Sequence, residues 1–182
     1  VNTYTTGEQR NPAISGRSDG SFVIVWDTLS APAGESGSGI RGQRFDTGGA
    51  ATGSEFQVNS WTTSAQTIGD VQQRAVSVAP AGNFEVVWSD SDRVAPSGDL
   101  FGDRFNSSGA AVGADFQISD SGAYASSHGE PSVDHDSDGD FVVAWAYNSD
   151  ILAQRYTSAG TAVGAAFQVN NYATGTQQDA DL

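Results

Sequence analysis

Cysteine, methionine and lysine are all missing from this 182-residue chain. Without cysteine there is no disulfide, thiolate metal ligand or cysteine nucleophile, so stability must come from packing or from bound ions. Without lysine, arginine is the only strongly basic side chain, and 8 basic residues stand against 22 acidic ones for a formal charge of −14. Phosphate binding needs clustered positive charge, so nucleic acid is excluded as a natural partner and anionic membranes are disfavoured. Long hydrophobic runs are also wanting. The longest apolar stretches are strand-sized, and neither a membrane span nor a signal peptide is visible. The chain opens on Val1 rather than Met and reads as a mature or excised piece. No window carries apolar residues at i, i+3, i+4 and i+7, so helix is not expected.

Glycine is plentiful, with 22 residues among abundant Ser, Thr, Asp and Asn, and short β-branched and aromatic runs recur between them. That composition fits many short strands joined by tight turns. Three of the runs are variants of one another: Gly20-Ser21-Phe22-Val23-Ile24-Val25-Trp26, Gly82-Asn83-Phe84-Glu85-Val86-Val87-Trp88 and Gly139-Asp140-Phe141-Val142-Val143-Ala144-Trp145. A shorter segment precedes each, beginning at Arg10, Arg74 and Glu130. A third segment follows, as Ile40-Arg41-Gly42-Gln43-Arg44-Phe45, Leu100-Phe101-Gly102-Asp103-Arg104-Phe105 and Ile151-Leu152-Ala153-Gln154-Arg155-Tyr156. The fourth is Phe56-Gln57-Val58-Asn59, Phe116-Gln117-Ile118-Ser119 and Phe167-Gln168-Val169-Asn170. Between the third and fourth lie two glycines at a fixed offset (Gly49 and Gly53, Gly109 and Gly113, Gly160 and Gly164), read as a hairpin turn followed by a second special backbone position.

The expected fold is all-β: three four-stranded antiparallel repeat units, read as propeller blades, over residues 9–59, 73–119 and 129–170 of a single repeat-built domain. Residues 171–182 open a further unit, since Val169 to Gln177 restates Val1 to Gln9. Propellers typically close with about four to eight blades, so three leave open edges. The expected partners are a second copy of the chain or neighbouring repeats of a longer one.

Glycine, Phe-Val-Val-Val-Trp, Ile-x-Gly-Gln-Arg-Phe, Gly-x-x-x-Gly and Phe-Gln-Val-Asn in that order resemble the repeats of large secreted bacterial proteins, which often also carry haemolysin-type calcium-binding repeats. The resemblance covers nearly the whole chain. It implies a propeller-like module, secreted or on the cell surface, within an adhesin or exoprotein, and it supplies no catalytic set.

Asp134, Asp136, Asp138 and Asp140 are the candidate metal site. Alternating carboxylates around an Asp-Gly turn can converge on Ca²⁺, which takes six to eight oxygens from a flexible loop. They resemble the acidic loops of integrin-type propeller blades. The competing reading is an acidic hairpin turn, as at Asp19-Gly20. His128, Glu130 and His135 suggest a transition-metal site, but their spacing fits no helical zinc motif. Arg44, Arg104 and Arg155 are expected to pair with an Asp or a carbonyl inside their own unit, with a ring for anionic glycans as the alternative. Trp26, Trp88 and Trp145 read as core between units. Trp61, with Tyr4, Tyr124 and Tyr172 on the connections, offers stacking surfaces for a glycan, and Trp61, Tyr124 and Tyr172 are the candidate ligand-binding residues. No Gly-x-Ser-x-Gly elbow is present, and with so many acids some carboxylate pair always fits a glycosidase spacing. The expected function is therefore a non-enzymatic binding, adhesion or structural module, with a carbohydrate-binding lectin and a polysaccharide-active enzyme as alternatives.

Overall fold

The computed structural model describes residues 2–3, 5–29, 38–63, 65–69, 74–91, 93, 98–119, 131–171, 175 and 177. Among them every regular element is a β-strand, and no helix is long and apolar enough to cross a membrane. The first sheet is β1 (Gln9–Gly16), β2 (Phe22–Thr28), β3 (Gly39–Phe45) and β4 (Ala51–Gln57), hydrogen-bonded in chain order. The third repeats this as β10 (Ser132–His135), β11 (Phe141–Tyr147), β12 (Asp150–Tyr156) and β13 (Ala162–Gln168). In the second, β5 (Gln66–Thr67) and β6 (Val76–Val78) share the edge of β7 (Phe84–Asp90), which is followed by β8 (Asp99–Phe105) and β9 (Phe116–Gln117). All pairings are antiparallel, as short connections demand. The second sheet thus begins upstream of residue 73, because Gln66 and Thr67 pair with Asp90 and Ser89.

The turns follow from the glycines. Gly20, Gly82 and Gly139 close the first hairpin of each sheet at φ +91°, +92° and +84°, backbone that L side chains rarely adopt. Gly49, Gly109 and Gly160 close the last hairpins, and the second glycines, Gly53, Gly113 and Gly164, also have positive φ. In the first and third sheets that second glycine sits at a bulge, beside the register shifts between Gly42 and Arg44 and between Ala153 and Arg155.

Strand alternation gives each sheet a back face, toward the preceding sheet, and a front face, toward the following one. Val23, Val25 and Ile40 on the front of the first sheet pack against Val76, Phe84, Val86, Trp88 and Phe105 on the back of the second. Val87, Leu100 and Ile118 on the front of the second meet Val133, Phe141, Val143, Trp145 and Tyr156 on the back of the third. Each such Val, Leu or Phe contributes roughly 1.5–3 kcal/mol by burial. Trp88 and Trp145 are 0% and 1% exposed in these two layers, the role expected of them, whereas Trp26, on the back of the first sheet, is 4% exposed outside both layers and donates its indole N–H to Gln9 Oε1 (3.1 Å).

The first strands converge: β6 packs between β1 and β10. The Val78 N–H donates to Ser15 Oγ (3.1 Å) and the Val133 N–H to the Arg74 carbonyl (2.9 Å), bonds that cross from sheet to sheet. At the far end, the Gln177 N–H donates to the Ser149 carbonyl (3.1 Å) as the Gln66 N–H does to that of Ser38 (3.3 Å). Gln177 therefore lies against the third sheet as the start of the second sheet lies against the first.

Candidate functional site

The junction of the second and third sheets holds a polar cluster built on a histidine, whereas at the first junction buried Asp27 accepts from Thr67 Oγ1 (2.6 Å) and the Ile68 N–H (2.9 Å). Ser77 on β6 and Glu85 on β7 are directly opposed in the register, so their side chains share the front face while Val76, Phe84 and Val86 point back. From β10, His135 reaches both. Its Nδ1 lies 2.8 Å from Ser77 Oγ and its Nε2 meets the Glu85 carboxylate. Ser77 Oγ also lies 3.2 Å from Asp134 Oδ1, and Arg74 Nη1 is 3.4 Å from Asp134 Oδ2. The His135 and Glu85 side chains are 3% and 4% exposed, while Arg74 and Asp134 are about half exposed beside them.

His135 Nδ1 either accepts from the Ser77 hydroxyl or donates to it, according to the tautomer. A serine, an imidazole and a carboxylate in sequence form the hydrogen-bond chain that activates a nucleophile elsewhere. Here the surroundings oppose that use. Ser77 is itself 4% exposed, its hydroxyl has Asp134 as a second acceptor, and the backbone N–H that follows it, on Val78, already donates to Ser15. The oxyanion donor that acyl transfer needs is committed. The cluster is a clamp between sheets, and Ser15, at the position equivalent to Ser77, makes the simpler version of it at the first junction. Beside the clamp, Ser15, Arg74, Ser77 and Asp134 line a polar cleft of about 310 Å³ where the first strands meet.

The acidic turn does not gather its carboxylates. Asp136 Oδ1 accepts from the backbone N–H groups of Asp138 (2.9 Å) and Asp140 (3.0 Å). Asp46 does the same for Gly48 and Ala50, and the uncharged Asn106 for Ser108 and Ala110. Asp140 Oδ1 accepts from the Ser158 N–H (2.8 Å), a bond that Asn83 makes to Ser107 in the second sheet. Two of the four acids therefore do work that an amide oxygen does equally well. Asp134 belongs to the clamp, and Asp138 is exposed on the turn. Among the described residues no group of three or more His, Asp or Glu could hold a metal ion.

Trp61 is 44% exposed and firmly held. The N–H groups of Ser60 and Trp61 donate to Asp115 at 3.1–3.4 Å, and Asn59 Nδ2 donates to the Trp61 carbonyl at 2.6 Å. Asp115, whose side chain is fully buried, binds Arg93 Nη1 at 2.8 Å, and the Arg93 guanidinium lies 4.3 Å from the Phe101 ring centre and 5.6 Å from that of Trp61. Tyr4, Tyr124, Tyr172, His128 and Glu130 lie outside the described residues.

The recurrent arginines bind carbonyls, as expected, but reach across to the next sheet. Arg44 Nη1 donates to Ser107 O (2.8 Å), and Arg104 Nη1 to Ser158 O (3.3 Å) as well as Nη2 to Val112 O (3.4 Å) of its own unit. Arg155 has the same place on β12 and is exposed.

The sequence reading missed Ser77, Glu85, Arg93 and Asp115. One signal was available: Glu85 interrupts an apolar strand whose equivalents carry Val23 and Val142. Arg93 and Asp115 come together only through the fold.

Comparisons with protein families and with curated proteins found no match. Among solved structures the chain is similar to a Hadza microbial sialidase, at 14% identity and a TM-score of 0.54, over 84% of this chain and 33% of that one. It is also similar to an endo-arabinase from Bacteroides thetaiotaomicron, at 14% identity and 0.53, over 94% of this chain and 66% of that one. At that identity the likeness concerns fold, and the chain spans about a third of the sialidase and two thirds of the arabinase.

Proposed function

We propose that the three sheets are consecutive β-propeller blades of a non-enzymatic binding and assembly module, secreted or carried on a cell surface. One observation carries this reading: at both junctions the same side chains, Arg44 and Arg104, Phe56 and Phe116, and Ser15 and Ser77, are spent on joining one sheet to the next. The buried Ser77, His135 and Glu85 then serve cohesion, and the Val78 N–H that would have served Ser77 as an oxyanion donor is spent on Ser15. The test is turnover. Incubation with sialosides and arabinans should yield no released sugar above the level of a heat-denatured control, and activity lost on Glu85→Gln would sink the non-enzymatic reading.

A second reading is carbohydrate binding, and the observation favouring it is Trp61, whose backbone N–H donates to Asp115 and whose exposed indole lies beside the Arg93 guanidinium. A pre-ordered aromatic face suits stacking on a sugar ring because little conformational freedom is lost on binding. The similar solved structures are by name a sialidase and an endo-arabinase, so this type of fold is used on saccharides elsewhere. A glycan array read with the wild type and Trp61→Ala tests it: signal that survives the substitution removes Trp61 from the site.

A further inference from the structure

We infer that the front face of the third sheet and the back face of the first are two halves of one interface, which joins two copies of this chain head to tail. The inference rests on the blade reading above and names the partner. At each internal junction three contacts recur, and at the two ends the same contacts stand half made.

The first is the arginine latch. A Cβ added to Gly109 would come within 2.5 Å of Arg44 Nε, and one added to Gly160 within 2.5 Å of Arg104 Nε, so at both turns an arginine from the preceding sheet fills the space a side chain would take. Gly49, at the same turn of the first sheet, has nothing within 4 Å of that position, and Arg155, the third arginine, is exposed.

The second is an aromatic triplet. The stacked pair Phe84–Phe105 receives Phe56 at 5.9 and 5.3 Å, and the pair Phe141–Tyr156 receives Phe116 at 6.3 and 5.5 Å. The first sheet carries the same pair, Phe22–Phe45, stacked at 4.8 Å, and among the described residues no third ring packs on it. The third sheet carries the ring without a pair: Phe167 is 47% exposed.

The third is aliphatic. Val58 and Ile118 are buried at the internal junctions, whereas their equivalent Val169 is 52% exposed. Val76 and Val133 are buried, whereas their equivalent Ile14 is 63% exposed.

Every half missing at one end is therefore present at the other, on the face where a second copy would offer it. Such a contact is heterologous, and it closes when the rotation from sheet to sheet returns to the start. Two copies bring six sheets, within the range at which propellers close.

Light scattering during size-exclusion chromatography in moderate salt tests this on the 182-residue chain. The expected mass is that of two copies of the 18.8 kDa chain. Ile14→Asp and Phe167→Asp change exposed side chains on opposite faces, and each should shift the protein to single copies with its circular dichroism unchanged and its melting temperature lowered only as far as the loss of association requires. A single-copy mass for the wild type across the micromolar range overturns the inference. So does association lost with Phe167→Asp but kept with Ile14→Asp, since that describes a front-to-front pair. Arg104→Ala, at an internal junction, separates the two readings. A lowered melting temperature with a single-copy wild type overturns only the docking inference, whereas an unchanged melting temperature removes the junction on which both rest.

Discussion

Asp103 stands where the first and third sheets carry Gln43 and Gln154. Each glutamine donates its Nε2 hydrogens to carbonyls around the bulge: Gln43 to Arg44, Thr52 and Gly53, and Gln154 to Arg155, Val163 and Gly164. An ionised carboxylate has nothing to donate there. β4 and β13 run for seven residues, and β9, opposite Asp103's strand, for two. Burial pushes the Asp103 carboxyl up to about 7, with the charge of Asp115 adding to the rise, while the Arg104 N–H and guanidinium oppose it. Since the folded value lies above the unfolded 3.8, the contribution to stability is full below about pH 4 and is lost as pH rises through 7. Asp103→Gln should therefore raise stability at pH 8 by on the order of 2 kcal/mol and change it little at pH 4. Thermal unfolding at the two pH values checks this, and a variant with the wild-type pH slope would assign the slope elsewhere, with buried Asp27, also raised by burial, the next suspect.

The latch glycines give a second test at the same scale. Gly49→Ala and Gly109→Ala each place a side chain at positive φ, at a cost of about 1 kcal/mol. Only the second also displaces Arg44, and it should be the more destabilising by about 1 kcal/mol, a difference that disappears in an Arg44→Ala background. Urea unfolding of the four variants measures it.

At the scale of the strand, β7 carries an acid where β2 and β11 carry Val23 and Val142, and it is tolerated because β10 brings an imidazole to it. Glu85→Val alone strands His135 in a buried setting and is expected to cost about 3–5 kcal/mol. Adding His135→Val, the residue found at the equivalent Val78, should recover most of that loss. Denaturant midpoints for the single and double variants decide it; a double variant no better than the single would show that Ser77 and Asp134 depend on the imidazole too.

The same strands show what a sequence discloses. The apolar alternation, the turn glycines and the Trp positions were legible because they recur, and recurrence separates what every sheet needs from what one sheet happens to carry. Glu85, His135 and Ser77 occur once as a set, with His135 58 residues beyond Ser77 in the chain, and only the packing of β6 and β7 against β10 joins them. The direction of the arginines was lost for a related reason. A side chain that serves the following unit looks, in the sequence, like one that serves its own. The four aspartates pose the opposite problem: their closeness in sequence allows either convergence on an ion or an acidic hairpin turn, and the turn directs Asp136 onto its own backbone and Asp140 onto the Ser158 N–H.

For the whole molecule, a charge of −14 sets the solution behaviour. Repulsion among exposed carboxylates is screened within a Debye length of about 10 Å at 0.1 M salt, so the melting temperature should rise with sodium chloride. Calcium at equal ionic strength should add little more, because Asp136 and Asp140 already bind backbone N–H groups and Asp134 is shared with Arg74 and Ser77. Differential scanning calorimetry with chelator, sodium and calcium makes the comparison. A calcium-specific gain that Asp138→Asn abolishes would restore the acidic turn as an ion site.

The arginine that crosses from one sheet to the hairpin of the next has a consequence for how such a gene can change. Each unit holds a reaching side chain on its third strand and a bare glycine on its last turn, so a duplicated segment inherits both the plug and the socket of its joints. Copying or deleting a whole unit leaves the new neighbours already matched, and array length can change by recombination before any compensating point substitution is selected.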